Sequence, residues 1–179
     1  RYSKQLGGSH GQVIGVLAHE TGHISGGHLA RTADAMREAQ TTGLFATLLG
    51  IGLVAVGAAT GANTGAAGGP MIASGQTTAM RTFLAYSRAQ ERSADQSAVS
   101  LLDRQHISTR GMLDFLDKLA DQELLAISRQ DAYVRSHPLT RDRIEFIAEH
   151  VRQSPWSNEA DNPADVVRHE RMRAKLIAF

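Results

Sequence analysis

No cysteine occurs among the 179 residues, which excludes a disulfide framework and any zinc site built on thiolates. Aromatic residues make up only 5% of the chain, too few for the stacking platforms that hold single-stranded nucleic acid. Charge of one sign is lacking as well. Nineteen basic residues against 18 acidic ones leave a net charge of +1, so no basic surface for a nucleic-acid backbone is expected. The chain opens on Arg1 rather than Met and without a signal peptide, and reads as a processed or N-terminally trimmed product. What is present suffices for a core: 42% of the residues are apolar, consistent with one domain spanning 1–179.

The most informative run is His19-Glu20-Thr21-Gly22-His23, an H-E-x-x-H pattern. On a helix, positions i and i+4 share a face, so both imidazoles can reach one metal ion, with Glu20 about 100° round from His19. Two nitrogen ligands with a carboxylate beside a metal-bound water are the parts of a zinc hydrolase. The context predicts a helix. Ser9 and Gln12 have capping-box spacing, and Val13, Ile14, Val16, Leu17 and Ala18 follow as a nearly continuous apolar run that predicts a buried helix. Gly22, Gly26 and Gly27 disfavour it by about 1 kcal/mol each, a cost that fits close approach of another backbone or a substrate. His28 is one residue short of the third-histidine position of an H-E-x-x-H-x-x-G-x-x-H pattern, which falls on Leu29, and reads as structural.

A catalytic zinc usually keeps three protein ligands. Tyr86 to Ala98 reads as a second helix, on which Glu91 and Asp95 are i and i+4. One carboxylate can bind the metal while the other accepts the ring N–H of a ligand histidine. The competing reading makes Glu91 a surface partner of Arg88, worth a few tenths of a kcal/mol, ~0.3.

H-E-T-G-H, then E-R-S-A-D over Glu91–Asp95, then S-H-P-L-T-R-D-R-I resembles the HtpX-like and CAAX-prenyl-protease-like zinc metallopeptidases (metallopeptidase family forty-eight), from about Gln12 to about Ile147. The resemblance implies a mainly α, zincin-like (gluzincin) core with the metal site between two helices and any sheet small or missing upstream. It implies one zinc ion on His19, His23 and Glu91, Glu20 as general base and acid, and Asp95 orienting a ligand histidine. Among that family the chain looks most like the soluble or peripheral bacterial-envelope members, which places it in the periplasm or cell envelope with protein or peptide substrates.

The chemistry asks for one more group. Zinc acidifies its water towards about pKa 7, a carboxylate shuttles the proton, and the tetrahedral oxyanion needs a donor. Arg143 is the candidate donor, set against an exposed arginine on an amphipathic helix. His137, before Pro138, has three open readings: a transition-state donor, a removable fourth zinc ligand, or a structural histidine.

From Ala39 to Met80 there is no Asp, Glu, Lys or Arg. The stretch predicts a helical hairpin with a Gly-rich tip, serving as core, as a membrane-interface element or as a mobile cover for the site. Downstream, helices are expected after Ser108 or Thr109, over Leu124–Val134, over Leu139–Val151, and after Asn162-Pro163. The leading function is a zinc endopeptidase acting on envelope or membrane-associated proteins. The alternatives are a membrane-docked assembly or chaperone-like factor with a latent zinc site, and a membrane-anchored structural protein with a chance motif.

Overall fold

A computed structural model describes residues 8–61, 63–123, 133 and 136–178. Six helices appear among them: α1 (His10–Ser25), α2 (His28–Thr60), α3 (Gly65–Arg104), α4 (Arg110–Glu123), α5 (Arg141–Gln153) and α6 (Pro163–Ala178). No strand occurs among the described residues, as expected for a mainly α, zincin-like core. The expected helix over Leu124–Val134 lies outside the described residues apart from Tyr133. The chain divides into two compact units, one of residues up to Gly26 together with those from Glu91, the other Gly27–Gln90.

In the first unit, the sequence signals for helix starts are met by the structure. The Ser9 side chain accepts the Gln12 N–H while the Gln12 side chain accepts the Ser9 N–H, so two orphan donors are satisfied at the start of α1. Ser108 Oγ accepts from the Arg110 N–H, and Asn162 Oδ1 accepts from the Ala164 N–H, fixing the starts of α4 and α6. The helix after Pro138 begins later than expected, at Arg141, with Thr140 extended before it. Pro138 therefore belongs to the preceding loop.

The core is a contact of α1, α3, α4 and α5. Ala98, Val99 and Leu102 of α3 meet Met112, Phe115, Leu116 and Leu119 of α4, with Ile147 and Val151 of α5 closing the cluster. The α4 positions recur at three and four residues, as a one-sided helix requires. A fully buried Ile such as Ile147 contributes about 1.5–3 kcal/mol.

Two expectations for α1 change. It is not buried all round: Leu17 and Ile24 are 56% and 80% exposed, because only the face carrying Gln12, Gly15, Ala18, His19 and Gly22 meets other elements. Nor does the helix run on through Gly26 and Gly27. Gly27 adopts φ +62°, a left-handed conformation that glycine takes without steric cost, and a new helix starts at His28. Gly22 has the role expected of it. A Cβ there would lie 2.6 Å from the Ala94 carbonyl oxygen, so its absence lets α1 and α3 approach closely enough for their functional side chains to meet.

The second unit is a hairpin of α2 and the α3 segment up to Gln90. It extends beyond the uncharged stretch at both ends. Gly50 and Gly68 sit where a Cβ would strike the opposite helix. Only His28 and Gly50 of α2 are buried, while Leu44, Phe45, Leu48 and Leu49 are exposed. The stretch is thus not core, and the hairpin leaves an apolar outer surface. His28, buried here, accepts at its carbonyl from Thr32 Oγ1 and Gln90 Nε2 and takes no part in the histidine cluster described next.

Candidate metal centre

Helix α1 presents His19, Glu20 and His23 across one turn. Helix α3 presents Glu91 and Asp95, again across one turn. The loop before α5 supplies His137, and the first turn of α5 supplies Arg143. The expected site residues come together from these three sources.

Donor atoms of His19, His23, Glu91 and His137 all lie within 4.8 Å of one another. His19 Nε2 is 3.0 Å from His23 Nε2 and 3.3 Å from Glu91 Oε2. His23 Nε2 is 3.3 Å from Glu91 Oε1, and His137 Nδ1 is 3.2 Å from that same oxygen. A tetrahedron of ligands about 2.0–2.1 Å from a zinc ion has edges of roughly 3.3 Å, so these separations fit. The buried Glu91 carboxylate turns Oε1 towards His23 and His137 and Oε2 towards His19 and Arg143, which puts an anionic donor among the three imidazoles, as a metal site needs. Charge agrees too. Among the described residues, Glu20, Glu91 and Asp95 stand against the guanidinium of Arg143, leaving two negative charges that a divalent ion balances.

Behind this group lies a second layer. Asp95, fully buried, places Oδ1 2.8 Å from His19 Nδ1, which directs the Nε2 lone pair towards the other ligands. Burial alone lowers the His19 pKa, but hydrogen bonds to Asp95 and Glu91 outweigh it and raise it above its ordinary value. Glu91 and Asp95 show the opposite balance. Burial raises each carboxyl, yet the histidines and Arg143 around them hold both below the usual carboxylate range.

Arg143 was expected to face the reacting carbonyl. Its side chain is instead buried, with Nε 2.7 Å and Nη2 2.9 Å from the two Asp95 oxygens. Nη1 donates to the Pro138 carbonyl at 3.0 Å and stands 2.9 Å from Glu91 Oε2. Its N–H groups are thus directed mainly at the two buried carboxylates and the Pro138 carbonyl.

Glu20 sits at the rim, its side chain 37% exposed, with Oε1 3.5 Å from His137 Nε2. Beside it is a residue the sequence reading missed. The Tyr133 ring stacks on His137 with centroids 4.5 Å apart. Burial first, then the Glu20 charge, push its phenol well above the ordinary value. The available signal was the spacing: Tyr133 and His137 are four apart, and the His137 N–H donates to the Tyr133 carbonyl at 2.9 Å.

Comparisons with known proteins identify the family. The model of peptidase family M48 matches residues 5–151. A Vibrio cholerae protein, described as a candidate beta-barrel assembly-enhancing protease, is 31% identical over 170 residues, covering 95% of this chain and 33% of its own. The beta-barrel assembly-enhancing proteases of Yersinia pestis and Escherichia coli K12 are 30% and 31% identical over 133 and 136 residues, each covering 74% of this chain and 26% of theirs. The chain thus spans between a quarter and a third of the length of these relatives. No solved structure matches it. With the helices that carry His19, His23 and Glu91 and the His137–Arg143 segment inside the matched region, the chain belongs to peptidase family M48, a family of metallopeptidases.

Proposed function

We propose that this chain is the catalytic domain of a zinc-dependent endopeptidase of the bacterial envelope, with the hairpin Gly27–Gln90 inserted between its two metal-bearing helices. The observation that carries the reading is the convergence of His19, His23 and Glu91 on one point, with Glu20 at its edge. His19 and His23 would hold zinc through Nε2, and Glu91 through its carboxylate. When bound, zinc would supply Lewis acidity and a strongly acidified water. Glu20 takes a proton from the attacking water and returns it to the leaving amine. Asp95 keeps His19 in the tautomer that offers Nε2. Arg143 acts one step further back, holding Asp95 and countering the charge of Glu91.

For His137 we favour the removable fourth ligand, since its ring belongs to the same donor group. In that position the imidazole takes the place a substrate carbonyl needs. The enzyme is then latent until the His137 loop moves, and hydrolysis is confined to proteins that displace it. The relatives' names point to beta-barrel assembly, so we take unassembled envelope proteins as the substrate class. The exposed apolar surface of the hairpin supports contact with a membrane.

The test is cleavage of an unfolded protein by zinc-loaded chain, compared with Glu20→Gln. The variant should keep zinc and fold while losing cleavage by about 100-fold or more. A chain that never cleaves, even as His137→Ala with zinc bound, would leave the assembly-factor alternative in place.

A further inference from the structure

We infer that the cavity lined by Gly8, Gln12, Val13, Val16, Leu17 and Phe115 is the specificity pocket of the endopeptidase, taking one aliphatic side chain from a substrate residue near the cleaved bond. The inference rests on the endopeptidase reading above and adds to it the chemistry of the residue recognised.

The pocket lies on the same face of α1 as the general base. Counted from His19 at about 100° per residue, Val16, Glu20, Val13 and Leu17 fall at about 60°, 100°, 120° and 160°. Val16 and Glu20 are one turn apart, about 5–6 Å between Cβ atoms. Helical side chains lean towards the N-terminus, so Glu20 stands over the turn that forms one wall. The wall from α4 leads to the same place. Its Phe115 ring meets Tyr133 edge-on, at 5.5 Å between centroids, and Tyr133 stacks on His137 at 4.5 Å. His137 in turn belongs to the metal-ligating group. An extended peptide advances about 3.3–3.4 Å per residue, so one attacked beside Glu20 brings a side chain within about two residues of the cleaved bond to the pocket.

The lining selects an apolar group. Val13 and Val16 are half-buried and Leu17 is exposed at the mouth. Gln12 brings a polar side chain, but its Oε1 already accepts from the Ser9 N–H and from Lys118 Nζ. The walls are set before any ligand arrives, as in preformed sites generally. The Gly8 carbonyl lies 3.0 Å from His169 Nε2, and Phe115 is packed into the core. The cavity measures about 110 Å³, below the roughly 150 Å³ that takes a benzene ring, which suits leucine, isoleucine or methionine better than an aromatic side chain. Val13 and Leu17 stand outside the core cluster, so the pocket can be reshaped there without unpacking the fold.

Two measurements test this. The first needs no turnover: methyl NMR of the chain carrying Glu20→Gln and His137→Ala, titrated with a glycine peptide that has leucine at its centre. The Val13, Val16 and Leu17 methyl signals should shift with that peptide and not with its alanine counterpart. No shift overturns the inference and means that the pocket is closed or taken by another part of the protein. The second is the cleavage pattern of zinc-loaded His137→Ala on a peptide library, read by mass spectrometry. One fixed position beside the cleaved bond should favour leucine, isoleucine or methionine over alanine by about tenfold or more in kcat/KM. Val13→Phe, which fills the pocket, should erase that preference, and Leu17→Ala, which widens it, should move it towards phenylalanine. Cleavage without a positional preference, or a preference that neither variant changes, overturns the inference. If Val13→Phe lowers the melting temperature, Leu17→Ala decides. If zinc-loaded His137→Ala cleaves nothing, the endopeptidase reading fails, while the NMR arm still decides whether the pocket takes an aliphatic side chain.

Discussion

Arg143 grips Asp95 through two edges of its guanidinium, Nε to Oδ2 at 2.7 Å and Nη2 to Oδ1 at 2.9 Å, with both side chains buried. Asp95 in turn reaches His19 Nδ1. The arginine is therefore connected to the metal site through a carboxylate and an imidazole. Arg143→Ala leaves Asp95 as a buried charge without its main partner, which should cost about 3–5 kcal/mol of stability. Urea denaturation should record that loss, with weakened zinc binding. Arg143→Lys should recover only part of it, because an ammonium cannot reproduce the two-pronged contact. An Arg143→Ala chain that is stable and zinc-loaded but inactive would return the residue to the oxyanion.

Zinc content tests the ligand set directly. Purified chain should hold about one zinc per molecule. Glu91→Ala should remove most of it, since the remaining imidazoles lose the carboxylate between them. Asp95→Asn should weaken binding less, by about 10–100-fold. Elemental analysis after dialysis separates these outcomes, and a full zinc complement on Glu91→Ala would sink the assignment.

His137 decides whether the site is latent. If its imidazole is a removable ligand, His137→Ala raises peptidase activity several-fold and loosens zinc binding slightly. If the imidazole serves the transition state instead, the same variant loses activity. Activity on an unfolded protein substrate, measured at saturating zinc, distinguishes the two by sign alone.

Acid should weaken the zinc-free fold through the buried carboxylates. Burial raises the Asp95 pKa, but the hydrogen bonds from His19 and Arg143 leave it below its ordinary value. A group with a depressed folded pKa adds stability that is present above the unfolded value, about 3.9 for Asp, and is lost as pH falls further. In EDTA, unfolding free energy should hold between pH 7 and 5 and drop below about pH 4. Asp95→Asn should be less stable at pH 7 and show a flatter acid limb. A wild-type acid limb no steeper than that of Asp95→Asn counts against the linkage.

How much of this was legible in the sequence depended on range. The capping box at Ser9 and Gln12, the i, i+4 pairs His19–His23 and Glu91–Asp95, and the Asn162 cap are local, and helical periodicity sets them directly. Arg143 was legible as a residue but its Asp95 contact was not, because whether a guanidinium faces a buried carboxylate depends on how α3 and α5 pack. Tyr133 was missed for a related reason. Its place beside the site depends on how its ring packs on Phe115, and one tyrosine on an amphipathic stretch carries no signal of that contact. The length of the first helix was misjudged because Gly26-Gly27 can continue a helix or end one, and the left-handed Gly27 belongs to a change of direction that the apolar pattern does not encode.

The hairpin supplies the last prediction. The uncharged part of α2, residues 39–60, is about 33 Å long at 1.5 Å per residue, close to the roughly 30 Å hydrocarbon thickness of a bilayer. Leu44, Phe45, Leu48, Leu49, Ile51, Val54 and Val56 are all exposed, over an arc of about 220° at 100° per residue, wider than the single apolar stripe of an amphipathic helix. Leaving such area in water costs about 25 cal/mol per Å². The chain should therefore float with liposomes, and Asp at both Leu44 and Leu48 should release it. Zinc content and melting temperature should stay the same, because neither side chain belongs to the buried core of the metal-bearing unit. If the wild-type chain ignores liposomes, or if the two aspartates unfold the metal-bearing unit, the membrane reading of the hairpin must be dropped.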